Sequence, residues 1–377
     1  MKLRNRRVLA LSAGVAASAL VCACTSGNTP APSSTVTVVK TPAASMVGDT
    51  QAAGSERFFS ATSPWNVQVA DQPVASNSTV MLSDASERLA ALPETATGTS
   101  VKTTYRRVDS HLYINTTAWT VPVVSGGTPT SVVCRQVLCG DIPHAINLDV
   151  PADASPDPRY DGWFTILDRQ HGVGYDLWRA RREPNGQISF QYATKWQLKG
   201  TGYVSPGTPS ARGSGLPLFA GLITPDELQQ GLIQHALAIS VPGPSQRYFV
   251  RPASMTDGNG PVGSLPEGAR IRLRAGVTMK AARDPKTGKL IPLTAQQRRT
   301  ADAITAALRT YGAIVVDRAA VPTLYAERGV SSALLAPNEL QGFSLSDFSV
   351  VSSGTELTYP VTSASAAATN ASSEGSS

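Results

Sequence analysis

Residues 224–241 read TPDELQQGLIQHALAISV, and this stretch states its structure most plainly. Thr224 is an N-cap residue, Pro225 suits the first helical position, Asp226 favours the positive helix end, and Glu227 completes a capping box. Ile223 and Leu228 stand where a hydrophobic staple joins them, and Gly231 ends the helix. Beyond it, Ile233, His235, Leu237, Ile239 and Val241 alternate with Gln234, Ala236, Ala238 and Ser240. That alternation predicts a strand over 233–241 with His235 on the aliphatic side.

Outward from this stretch, strand signals dominate. Tyr105–Val108, His111–Ile114 and Trp119–Val124 are short β-branched or aromatic runs separated by Asp, Ser and Gly. Trp163–Asp168 and Tyr175–Arg179 read as a hairpin across Arg169-Gln170-His171-Gly172. Ile188–Tyr192, Lys195–Leu198, Arg247–Arg251 and Arg270–Arg274 extend the pattern. Helices are few. Met81–Leu92 has a rough helical period, and Thr294 with Gln297 opens a longer helix whose stripe is Ala301, Ile304, Leu308 and Tyr311, stopped by Gly312. Ala313–Val316 and Thr323–Ala326 close the fold. The expected fold is mainly β: a β-sandwich, jelly-roll-like or related β-rich domain with a few short helices and one longer C-terminal helix. It occupies residues 56–360 as a single large domain.

The termini suggest an address. Lys2, Arg4, Arg6 and Arg7 precede an apolar run from Val8 to Val21, too short to span a bilayer but right for a signal peptide over residues 1–23. Val21-Cys22-Ala23-Cys24 has the form of a lipobox, so Cys24 is the expected lipidated residue on the extracytoplasmic face of the cell membrane. Residues 24–55 read as a flexible Ser/Thr/Ala/Pro tether and 361–377 as a disordered tail. Removing the four basic leader residues lowers the formal charge from +6 to +2, which lacks the electrostatic footprint of a nucleic-acid binder. Cys134 and Cys139 are expected to pair as a disulfide in an oxidising compartment.

No nucleophile elbow, zincin helix, phosphate-cradling loop or dinucleotide fingerprint occurs, and no cofactor or metal is expected. Four residues are candidate proton-transfer groups: His235, Asp168, Asp176 and Asp317. Trp163, Tyr175, Trp178 and Trp196 crowd into predicted strands, where aromatic rings either fill a β core or stack on sugars. Arg247, Arg251, Arg270, Arg272 and Arg274 form a basic stripe that reads either as an anion-pairing row or as the solvated face of an edge strand.

Ser63-Pro64-Trp65-Asn66, Tyr175-Asp176-Leu177-Trp178, Ser214-Gly215-Leu216-Pro217-Leu218, His235-Ala236-Leu237 and Val315-Val316-Asp317 occur in an order that resembles a functionally uncharacterised family of exported proteins and lipoproteins from high-GC bacteria of actinobacterial type. The resemblance spans roughly residues 58–327 and implies no catalytic assignment. Together these readings point to a surface-anchored monomer that acts on or binds a cell-envelope or environmental polysaccharide. If catalytic, it is a glycoside hydrolase or polysaccharide lyase; the alternative is a non-catalytic glycan-binding or envelope-scaffolding lipoprotein.

Overall fold

The computed structural model describes residues 57–90, 104–284, 287–352 and 354–361. The signal peptide, the tether, Cys24 and the tail beyond residue 361 lie outside the described residues. The fold is mainly β, as its alternating segments predict. At its centre a six-stranded sheet runs in the order 348–350, 270–273, 313–318, 237–241, 323–325, 113–115. Its two middle strands, Leu237–Val241 and Ala313–Arg318, are parallel. They are apolar on both faces, as a strand covered from both sides must be. Leu237, Ile239, Val241, Ala313 and Val315 belong to one core, whereas Ala236, Ala238, Ile314 and Val316 belong to another.

The first core lies under three helices. Helix α1 is Ser78–Ala85, α2 is Pro225–Gln230 and α3 is Ala295–Thr310. Both predicted capping boxes form, at Thr224/Glu227 and Thr294/Gln297, and Ala301, Ile304 and Leu308 of α3 face the sheet. The second core joins the central sheet to a four-stranded sheet ordered 192–197, 173–178, 164–168, 123–125. Beyond that sheet a third core, with Phe164, Ile166 and Leu177 from one side and Val132, Ile188 and Phe190 from the other, unites it with a second four-stranded sheet. The sandwich-like part is therefore this outer pair of sheets, and helices cover the far face of the central one.

The predicted hairpin forms as Phe164–Asp168 and Val173–Trp178, with Phe164 opposite Leu177. Cys134 and Cys139 are joined in a disulfide, their Cα atoms 5.9 Å apart.

Three expectations are corrected. The strand over 233–241 begins only at Leu237, because Ala236 N–H donates to Trp65 O at 2.7 Å and His235 is pulled toward α2 instead of entering the ladder. The helix expected over 81–92 starts at Ser78 and stops at Ala85; Glu87–Leu89 then pairs antiparallel with Tyr105–Arg107, and Arg107 meets Glu87 at 3.1 Å. The basic stripe is not a single row: Arg247, Arg251 and Arg274 are exposed, the first two on either side of the short strand Tyr248–Phe249, whereas Arg270 and Arg272 are tied into the fold. Arg270–Leu273 lies inside the sheet, and the Arg270 and Arg272 guanidiniums donate to main-chain carbonyls of Pro64, Val69 and Tyr311, tying down the chain after the first aromatic residues.

Candidate functional site

His235 lines one cavity, Asp317 and Trp163 line a second, and the two share no lining residue. The first, about 560 Å³, is walled by Phe58, Phe59, Trp65 and Phe219 and has His235, Glu227 and Glu327 at its polar end. His235 Nε2 lies 2.8 Å from Glu227 Oε1, and His235 Nδ1 lies 3.0 Å from Ala236 O. Glu227 Oε2 accepts from Thr224 N–H at 3.0 Å and from Thr224 Oγ1 at 2.9 Å. Burial alone would neutralise both groups. The facing charges prevail, so the His235 pKa is raised and that of Glu227 lowered. Every polar atom of the pair is thus engaged within the protein, and the imidazole has no free nitrogen for a ligand. His235 orients the entry of α2; its catalytic candidacy has no open atom to act through.

Asp168 and Asp176 are also accounted for locally. Asp168 sits at the hairpin turn, accepting from His171 N–H at 3.0 Å and meeting its Nδ1 at 2.7 Å. Asp176 is fully buried; it meets Thr165 Oγ1 at 2.5 Å and accepts from Leu218 N–H at 2.6 Å. Burial pushes its pKa up to about 7. Tyr175 belongs to the third core and Trp196 to the second, while the Trp178 ring is packed at the margin of the second core with Arg179 stacked 4.5 Å from its centroid.

The second cavity, about 520 Å³, is where Asp317 and Trp163 come together. It lies past the carboxyl ends of the parallel strands 237–241 and 313–318, where Ser240 is in register with Asp317. In open sheets that is the usual place for a ligand crevice. Trp119, Trp163 and Tyr325 wall it; Asn115, Asn259, Asp257 and Arg318 reach it with Asp317. Trp119 is 48% exposed, with its ring 5.7 Å from that of Tyr160, and stands at a positive φ of 53° ahead of strand Val123–Ser125.

Behind this cavity three acids converge. One oxygen each from Asp257, Glu267 and Asp317 lies within 4.8 Å of the others. Asp317 accepts from Arg318 N–H at 2.8 Å, Asp257 Oδ2 from Arg318 Nε at 3.1 Å, and Glu267 Oε2 from Asp257 N–H at 3.2 Å. Burial, reinforced by the Asp257 charge, raises the Asp317 pKa to about 7; burial and both aspartates raise Glu267 well above the usual carboxylate range. Gly268 makes the turn that buries Glu267. It has φ 86°, and a Cβ there would stand 1.7 Å from Val250 O. Arg212 is buried between the Trp163 and Tyr325 rings, 5.3 and 5.1 Å from their centroids, and none of its side-chain nitrogens has a hydrogen-bond partner.

Sequence reading singled out Asp317 and Trp163. It missed Glu267, Arg212, Tyr325 and Trp119. The chain matches no protein-family model, no curated protein and no solved structure.

Proposed function

We propose that this protein engages a polysaccharide at the cavity between Trp119 and Trp163, held at the extracytoplasmic face of the membrane by a lipid on Cys24. The observation that carries the reading is the convergence of an exposed ring, Trp119, with Asp257, Asp317, Asn115 and Asn259 around one opening. A sugar ring offers apolar C–H faces to an aromatic wall and hydroxyls to carboxylate and amide groups, and this cavity offers both kinds of partner. The His–Glu pair of the first cavity is closed on itself, which favours the second. The wider resemblance to exported proteins of high-GC bacteria supports an envelope setting and is silent on chemistry.

The test is a screen of the detergent-solubilised full chain against envelope and plant glycans, scoring retention, new reducing ends and unsaturated products. Trp119→Ala is expected to abolish retention while leaving the melting temperature within a few degrees, because an exposed ring contributes little to the core. Asp317→Asn is expected to lose binding and any cleavage together. Retention that survives Trp119→Ala would place the glycan elsewhere on the surface.

A further inference from the structure

We propose that Asp257, Glu267 and Asp317 form a binding site for a hard divalent cation of the calcium class at the inner end of the Trp119–Trp163 cavity. The site stands on its own geometry, and only its purpose, presenting an ion to sugar hydroxyls, rests on the glycan reading above.

Oxygens that share one calcium ion sit 2.3–2.6 Å from it, so no two of them are more than about 5 Å apart. The three carboxylates meet that condition, with one oxygen from each inside a 4.8 Å limit. Their donors are all oxygen, with no thiolate or imidazole, which selects a hard ion over zinc or copper.

Clustered acids alone are common. The separate observation is Glu267. Its side chain is 0% exposed, no described basic group forms an ion pair with it, and its Oε1 accepts no hydrogen bond. A carboxyl oxygen left without a partner in the interior is costly, and coordination to a cation offsets that cost. Asn259 Oδ1, on the same cavity, is likewise unpartnered.

The arrangement has an inside and an outside. Glu267 lies behind Asp257 and Asp317, and those two line the cavity, so an ion held by all three turns its remaining coordination positions toward the opening. Two guanidiniums temper the site: Arg318 on Asp257 at 3.1 Å, and Arg212, whose charge is felt at Asp317. They leave the three carboxylates one negative charge in excess, which places the affinity in the weak range of extracellular calcium modules, on the order of 10⁻⁴–10⁻³ M. With the ion bound, Asp317 is a ligand and not a proton donor.

The experiment titrates the metal-stripped, solubilised full chain with terbium and then competes with calcium. Trp163 and Tyr325 wall the site and serve as antennae. The expected result is one saturable equivalent of sensitised emission, displaced by calcium, and weakened at least tenfold in both Asp257→Asn and Glu267→Gln. Should the buried Glu267→Gln variant fold poorly, Asp257→Asn, on an exposed residue, gives the reading alone. A flat titration, or one that Asp257→Asn leaves unchanged, overturns the site. No glycan is present, so a failed glycan screen does not touch this result. Conversely, glycan retention undiminished by EDTA overturns the ion's role in binding and leaves the glycan reading standing.

Discussion

His235 Nε2 stands 2.8 Å from Glu227 Oε1, so the carboxylate that closes the capping box of α2 also holds the imidazole eight residues further on. Folding therefore raises the His235 pKa above 6.5 and lowers that of Glu227 below 4.5. The histidine contribution is fully present below pH 6.5 and fades as pH rises through its folded pKa. The glutamate contribution is fully present above pH 4.5 and fades as pH falls through its folded pKa. Their common window is pH 4.5–6.5. Glu227→Gln, which retains a capping-box side chain, is expected to cost about 1–3 kcal/mol at pH 5.5 and visibly less at pH 8.5. Urea unfolding of both proteins at the two pH values checks this; a pH-independent difference would show that the pair is not ionised.

Asp176 is expected to be a structural carboxyl. Asp176→Ala strands the Leu218 N–H and the Thr165 hydroxyl in the interior, at about 2–4 kcal/mol. Denaturant midpoints measure that loss. Terbium affinity of the folded fraction is expected to stay within twofold of the parent, because Asp176 is no part of the acid cluster. A folded Asp176→Ala protein of parental stability would return Asp176 to the functional candidates.

Local signals in the sequence carried the local structure. Thr224/Glu227 and Thr294/Gln297 cap their helices, and the 163–179 hairpin closes, because each rests on neighbours in the chain. Errors arose where a distant partner intervened. Alternation from Ile233 to Val241 looks like one strand, but Trp65 O captures the Ala236 amide and Glu227 captures His235, so the first residues leave the ladder. The acid cluster was invisible for the same reason. Asp257, Glu267 and Asp317 follow no motif spacing, and only the pairing of strand 313–318 with the chain around Gly268 brings them together. Trp119 was read as the start of a strand, when its positive φ puts it ahead of that strand.

The Cys134–Cys139 bond closes a very short loop at the end of strand Thr128–Cys134, which pairs with Ile188–Phe190. Chain-entropy reasoning for so short a loop gives about 2 kcal/mol, at the low end for disulfides. Replacing both cysteines by serine is expected to lower stability by about that amount without unfolding the protein. Thermal melts with and without reductant measure it. Complete loss of folding under reduction would mean that the outer sheet cannot assemble without the bond.

Lipidation of Cys24 makes a sharp prediction about partitioning, since two acyl chains anchor a protein stably and none leaves it soluble. The full chain expressed in a bacterium of its own cell type is expected to enter the detergent phase of a Triton X-114 extraction, and Cys24→Ala to move to the aqueous phase. A Cys22→Ala change is expected to leave the partitioning unchanged. Equal aqueous recovery of all three proteins would refute the anchor.

Gly213 offers a way to disturb the acid cluster without touching a ligand. A Cβ at residue 213 would stand 2.4 Å from Asp257 Cγ and 2.5 Å from its Oδ1, so the main chain there leaves no room for a side chain while Asp257 keeps its place. The obstacle is the far end of an exposed side chain rather than backbone, and Gly213 does not have a positive φ. Gly213→Ala should therefore fold with a stability change within about 1 kcal/mol, the ordinary range for glycine-to-alanine exchange at a tolerant position. Asp257 must swing away, removing one of three acid ligands. Terbium affinity is expected to fall at least tenfold, and glycan retention with it. Parental terbium affinity in a folded Gly213→Ala protein would mean that Asp257 is no ligand.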